Sequence, residues 1–346
     1  MRIEEMVREG IRGLRGYEAS SSFSGIKLDA MESPYDLPHS IKGRIIDEIR
    51  MLSFNRYPDP TASRLRKALS TYLDVDEDMT MVGNGSDELI LMILLTFGDG
   101  RAIYPDPSFP MYRVLSKVAG KEGIGISLRE DFELDLPSIL NVCKGGVVFI
   151  AYPNNPTGNL FAQDAIHTIL ADGSCMVVVD EAYYEFSKQT FLSFLTRYPN
   201  LIILRTFSKA FGLAGARVGY LIANREVVDL LNRVRLPYNL NAISQVVATI
   251  TLRFRGELDG QIEEIIRERE RVYSEMKGID GLVPYRSETN FIFFKSEGIQ
   301  AHEVFKALLK EGVLIRHIGD GLRVTIGRED ENTAFLRTLR KVMGMG

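Results

Sequence analysis

Lys209 stands where covalent carbonyl chemistry would need an amine. It follows the apolar run Leu201–Leu204, lies beside Thr206 and Ser208, and precedes a segment containing Gly212, Gly215 and Gly219. The isoleucines of that run suit a buried, pleated strand. Withdrawing an ammonium from water favours its neutral form, and a neutral amine can form a Schiff base. A lone lysine in a loop is more often a solvated surface charge. Its role therefore depends on what the rest of the chain supplies.

Other candidates follow other apolar runs. After Met79–Val82 comes GNGSDE, in which Gly85, Ser86 and Asp87 open a helix. Free N–H groups and the helix dipole make such a start a phosphate cradle, although Ser86 or Asp87 could simply be an N-cap. After Val147–Tyr152 comes YPNNPTG, a turn by its Pro-Asn and Thr-Gly pairs, with Asn155 able to hydrogen-bond a ligand. After Met176–Val179 come Asp180 and, three residues on, Tyr183. A carboxylate ending an apolar strand is costly unless it meets a cation or strong donors. Arg217, eight residues after Lys209, is either a surface charge or a fork for a phosphate. Taken singly, capping, turn and surface roles account for each of these. Taken together, a phosphate cradle, an amide, a buried acid with a phenol, and a lysine with an arginine describe one ligand. That ligand is an aromatic aldehyde with a ring nitrogen and a phosphate, namely pyridoxal 5′-phosphate.

The elements that must position these groups alternate. Strands are expected at Met79–Val82, Ala102–Tyr104, Gly123–Leu128, Val147–Tyr152, Met176–Asp180, Leu201–Leu204 and Val218–Ala223. Helices are expected at His39–Leu52, Ala62–Leu73, Gly85–Phe97, Phe109–Val118, Pro137–Val142 and Ala162–Leu170. Short Val/Ile runs separated by helices predict an α/β fold with a mostly parallel sheet between helices. Ligand sites in such sheets form at the carboxyl ends of the strands. The last third reads differently, with helices at Ala242–Thr251, Gln261–Lys277 and Ala301–Glu311 and strands at Asn290–Lys295, Val313–Arg316 and Leu322–Thr325. We expect a large domain over residues 50–237 and a smaller α+β domain from 1–49 and 238–346, with the seam near Pro237.

Composition narrows the class. A net charge of −4 gives no support to nucleic-acid or polybasic membrane binding. The longest apolar stretch, Leu89–Phe97, falls short of the roughly 20 residues a membrane span requires. The opening MRIEEMVREGIRGL is amphipathic and carries acidic residues, unlike a signal or transit peptide. Two cysteines in apolar runs, Cys143 and Cys175, read as reduced thiols, and the expected location is the cytoplasm. The four histidines lack ligand-like spacing, so no metal site is expected. Neither GxGxxG followed by an acid nor GxxxxGK[ST] occurs, which disfavours a nucleotide-binding module.

The segments KLDAMESPYDLP, NRYPDP, GNGSDE, YPNNPTG, DEAYYEF, RTFSKAFGLAGARVGY, SETNFIFF and GLRVTIG occur in an order that resembles the fold-type I, aspartate-aminotransferase-like enzymes. RGYEAS, NRYPDP and LIRHIGDGLRVTIG resemble the histidinol-phosphate branch of that family. The resemblance implies that Lys209 is the Schiff-base lysine and proton shuttle, and that Asp180 holds the ring nitrogen protonated. Asn155 and Tyr183 would bind the phenolic oxygen. Gly85, Ser86, Asp87, Thr206, Ser208 and Arg217 would form the phosphate site. Tyr57 would reach that phosphate from the partner subunit of a homodimer. Arg323 would grip the α-carboxylate of glutamate, while Tyr17 and Arg316 would serve the phosphate of an imidazole substrate. One position departs from the family pattern: Phe109 stands where a tyrosine commonly stacks on the ring, which keeps the stacking and loses a hydroxyl. An aromatic or broad-specificity aminotransferase and a threonine-phosphate decarboxylase-like lyase remain open on the same scaffold.

Overall fold

Every residue of Val147–Ala151 is buried, and successive side chains of a strand point to opposite faces. Val148 and Ile150 join one apolar cluster, while Val147, Phe149 and Ala151 join another. The neighbouring strands divide in the same way, so the sheet is covered on both sides, as the alternation of strands and helices predicts. The computed structural model describes residues 3–14, 16 and 23–344.

In chain order the strands are β1 (Ile26–Lys27), β2 (Thr80–Asn84), β3 (Arg101–Asp106), β4 (Glu122–Ser127), β5 (Val147–Ala151), β6 (Met176–Asp180), β7 (Leu201–Thr206), β8 (Val218–Ala223), β9 (Leu282–Pro284), β10 (Phe291–Ser296), β11 (Val313–Leu314), β12 (Arg316–Ile318) and β13 (Gly321–Thr325). The central sheet runs β2-β8-β7-β6-β5-β3-β4. Its pairs are parallel except that β8 is antiparallel to both β2 and β7. The carboxyl ends of β2, β5, β6 and β7 therefore share one edge with Arg217, the residue before β8.

A second, antiparallel sheet has the order β12-β13-β10-β9. Its cluster includes Ile265 and Val272 of the helix Asp259–Lys277, Val304 and Leu308 of Ala301–Lys310, and Phe335 and Leu339 of Glu329–Val342. β1 pairs in parallel with β11 and ties the N-terminal segment to this unit.

Three features depart from the sequence expectations. The run expected as one strand, Val313–Arg316, divides into β11 and β12, which pair with β1 and β13. The helix Arg225–Leu231 and the strand β9 were not foreseen, because each is too short to show a period. The helices His39–Arg50 and Ala242–Arg253, which the boundaries at 50 and 237 assign to the smaller domain, bury Ile41, Ile45, Val246 and Ile250 in the central sheet's own cluster. Helical spacing identifies an apolar face but not the layer that covers it.

Both cysteines are free and buried. No described helix is long and apolar enough to cross a membrane.

Behind the edge where the strands end, the sheet buries charge. Arg205 and Glu181 pair at 2.9 Å, and the Glu181 carboxylate also accepts the Phe191 N–H at 2.7 Å. The Arg205 guanidinium lies 3.6 Å from the centroid of the Tyr184 ring. Glu185 beside them is buried, and its Oε1 has no hydrogen-bond partner among the described residues. Burial pushes the Glu185 carboxyl up to about 7 from its usual 4.5, with Arg205 opposing the shift. An acid raised in this way ionises first in the unfolded chain. Stability therefore falls as pH rises between those two values and stays low above them. Glu185→Gln is expected to gain on the order of 1–3 kcal/mol over the parent at about pH 8 and little at about pH 4.5. Urea midpoints at the two pH values check this, and an equal gain at both would refute it.

Candidate active site

The strand ends converge because of register. Ala151 of β5 lies opposite Asp180 of β6, and Asp180 lies opposite Leu204 of β7. Thr206 of β7 faces Gly219 of β8, which on its other side faces Gly83 of β2. A cavity opens at this edge. Ser86, Asp87, Phe109, Asn155, Asp180, Tyr183, Thr206, Ser208, Lys209 and Arg217 line it, together with Met31, Ala151 and Ala182. Candidates spread over more than a hundred residues of chain thus surround one space.

At one end of the cavity the helix Ser86–Thr96 begins, with Gly85 at its N-cap. Gly85 has φ 78°, and a Cβ there would stand 2.6 Å from Arg217 Nη2. A Cβ on Gly219 would run into the Ser86 backbone nitrogen. Glycine at both positions lets the helix start, β8 and the guanidinium close up. Arg217 Nη1 donates to Ser208 Oγ at 3.4 Å, and Nη2 pairs with Asp87 Oδ2 at 3.3 Å. Asp87 Oδ1 is buried without a hydrogen-bond partner among the described residues. Unsatisfied first-turn N–H groups, hydroxyls and a guanidinium form a cradle for an oxyanion.

Asp180, 5% exposed, lines the same cavity. Tyr112 Oη donates to Asp180 Oδ2 at 2.8 Å, and the Ala182 N–H donates to Oδ1 at 3.2 Å. Burial lifts this carboxyl to about 6, against the pull of those two hydrogen bonds. Lys209 shifts the other way. Burial and then the nearby Arg323 lower its ammonium to about 8. Lys209 Nζ donates to the Ala30 carbonyl at 3.3 Å and lies 5.9 Å from the Tyr183 ring centroid. The Tyr183 hydroxyl donates to Met31 Sδ at 3.3 Å.

The smaller sheet brings an arginine against Asn155, one of the cavity's lining residues. Arg323 of β13 is buried and donates from Nη1 to Asn155 Oδ1 at 2.6 Å and from Nη2 to the Asp29 carbonyl at 2.9 Å. Arg316 of β12 is its directly opposed partner in register.

Among the described residues, Gly85, Tyr57, Arg316 and Arg323 are expected at the site but do not line the cavity. Tyr57 is 80% exposed and stacks on Tyr238 with ring centroids 4.4 Å apart. Tyr17 lies outside the described residues. Conversely, the sequence reading did not single out Tyr112, Met31 or Ala182. A tyrosine three residues after Phe109, on the apolar face of a helix, was the one available signal for Tyr112.

The cavity's donor set fits pyridoxal 5′-phosphate. An acid pushed up by burial suits a cationic ring nitrogen, the glycine-cleared cradle suits a phosphate, and a depressed amine suits an aldehyde.

The chain as a whole is similar to known proteins. The model of the family described as aminotransferase class I and II matches residues 24–339. Histidinol-phosphate aminotransferase 2 of Nitrosococcus oceani is 43% identical, with 98% of this chain and 98% of that protein covered. The crystal structure of the histidinol-phosphate aminotransferase from Clostridium acetobutylicum has a TM-score of 0.85 at 27% identity, covering 92% of this chain and 99% of that one. The Sinorhizobium meliloti histidinol-phosphate aminotransferase, solved in complex with pyridoxal-5′-phosphate, has a TM-score of 0.88. At 22% identity, over 98% of this chain and 97% of that one, it is a likeness of fold.

The electrostatics of Lys209 can be read without any cofactor. Trapping of this amine by a small aldehyde and borohydride, followed by peptide mass spectrometry, is expected to rise with a midpoint near the value of about 8. Arg323→Gln removes a neighbouring cation and should move the midpoint upward. A midpoint near 10.5, the ordinary lysine value, in the parent protein would contradict the desolvated site.

Proposed function

The chain belongs to the aminotransferase class I and II family, and on that premise we propose that it is a pyridoxal-phosphate-dependent transaminase acting between glutamate and imidazole-acetol phosphate. The products are 2-oxoglutarate and L-histidinol phosphate, which is a step of histidine biosynthesis. One observation carries the reading: a depressed amine, Lys209, and a buried acid, Asp180, share a cavity with an oxyanion cradle. Similarity over nearly the full length to a histidinol-phosphate aminotransferase supports the substrate.

When bound, pyridoxal 5′-phosphate supplies a carbonyl for the substrate amine and a ring that delocalises the electrons left at Cα. Lys209 Nζ would hold the cofactor covalently. The same amine would be the base that takes a proton from the substrate Cα, since its lowered basicity leaves a larger neutral fraction near neutral pH. Asp180 would face the ring nitrogen and keep a proton there, and Phe109 would stack on the ring. Asn155 Oδ1 is engaged by Arg323, so its Nδ2 is the group left to donate to the phenolic oxygen, beside the Tyr183 hydroxyl. Gly85, Ser86, Asp87, Thr206, Ser208 and Arg217 would form the phosphate site. Arg323 would bind the substrate α-carboxylate as a fork, with Arg316 and Tyr17 serving the phosphate of the imidazole substrate.

A homodimer belongs to this reading. Met51, Phe54, Tyr57 and Leu236 are all strongly exposed, and they lie close along the chain to one or other member of the stacked pair Tyr57 and Tyr238. Covered by a second copy, Tyr57 would reach the partner's phosphate site. Two free, buried thiols support a reducing cytoplasm as the location.

Lys209→Ala is expected to abolish turnover together with the visible absorbance band of the loaded protein. A variant that keeps both would sink the assignment. Substrate choice is tested by half-reactions with histidinol phosphate, phenylalanine, tyrosine and threonine phosphate. Histidinol phosphate is expected to convert the cofactor fastest. Preference for phenylalanine would indicate an aromatic aminotransferase, and CO₂ release without an oxo-acid acceptor would indicate a lyase.

A further inference from the structure

We infer that Tyr112 is a positioning residue for Asp180, its buried hydroxyl clamping one carboxylate oxygen so that the acid meets the ring nitrogen as an oriented anion. This rests on the pyridoxal phosphate reading of the cavity. Tyr112 belongs to the helix Met111–Val118 and is fully buried. Its ring stacks on Phe149 of β5, with centroids 5.0 Å apart and planes 20° apart. Phe109, which lines the cavity, meets the same ring edge-on at 5.5 Å. An aromatic tier therefore holds the hydroxyl 2.8 Å from Asp180 Oδ2.

The two carboxylate oxygens are held from different elements. Oδ2 takes the Tyr112 hydroxyl, and Oδ1 takes the Ala182 N–H at 3.2 Å. Two fixed donors set the plane of the carboxylate. Turning it away would strand the phenol in an apolar shell, which is the costly way to lose a hydrogen bond. Burial holds the phenol well above its ordinary range, so it stays a donor across the working pH.

Other charged or titratable groups face Asp180. Asp87, on the helix Ser86–Thr96, and Glu181, next in the chain and paired with Arg205, both favour its protonation. Lys209 and Tyr183 share its cavity. The Tyr112 hydroxyl opposes the two acids by stabilising the ionised form.

The test uses the full chain loaded with pyridoxal 5′-phosphate. Tyr112→Phe keeps the ring and deletes the hydroxyl. We expect roughly tenfold weaker cofactor retention and a roughly tenfold slower half-reaction, the scale of one hydrogen bond to a charged group. Donor affinity should change less than about twofold, and the pH titration of cofactor absorbance should move. In a double-mutant cycle, Tyr112→Phe should add nothing to Asp180→Asn, because it acts through that acid. An unmoved titration in Tyr112→Phe would overturn the proposal, even if the variant melts earlier. So would a full additional loss on top of Asp180→Asn. A parent protein that takes up no pyridoxal phosphate would instead overturn the cofactor reading.

Discussion

The burial of Asp180 is the constraint on which this site depends. A carboxylate that ends an apolar strand in the middle of a covered sheet has lost its water, and ionising it there is unfavourable until a cation arrives. Lys209, one strand over, suffers the opposite shift from the same cause. Desolvation thus leaves an acid and an amine both closer to neutrality than either would be in water. A ligand with a protonated ring nitrogen and an aldehyde relieves both at once. The hydroxyls, glycines and guanidinium of the cradle then account for its phosphate.

The period of two along a strand explains how such a site can be held firmly. On β6 and β7, Asp180 and Thr206 face the cavity, while Glu181, just past β6, and Arg205 of β7 meet behind it. The strand ends that carry the chemistry are pinned from the rear by a buried ion pair. The smaller unit closes the front. Arg323 reaches Asn155, the Asp29 and Ala30 carbonyls accept from Arg323 and Lys209, and Met31 takes the Tyr183 hydroxyl. Met31 adopts φ 55° with its N–H donating to Thr325 Oγ1 and its carbonyl accepting from Asn290. A strained backbone held by several partners is a common feature of ligand clamps.

Much of this was legible in the chain. Met176–Asp180 and Val218–Ala223 are strands with the expected bounds, because short apolar runs stopped by a charge or a polar residue leave little choice of period. Lys209, Asp180, Asn155 and the GNGSDE segment were legible as a set because strand ends in parallel sheets gather at one edge. Other features were not. Tyr112 looked like one more apolar residue of an amphipathic helix, since nothing local marks the partner of its hydroxyl. The helices His39–Arg50 and Ala242–Arg253 showed an apolar stripe without showing which core it would join.

The sequence by itself determined which groups were available and where along each strand they had to appear, because both follow from local periodicity and residue chemistry. The tertiary structure alone decided which of them touch. Asn155 meets Arg323 across 168 residues, and Tyr112 meets Asp180 across 68. Such pairs depend on strand order, register and the docking of two cores. These are set by the burial of the whole chain, and no single segment carries enough information to specify them.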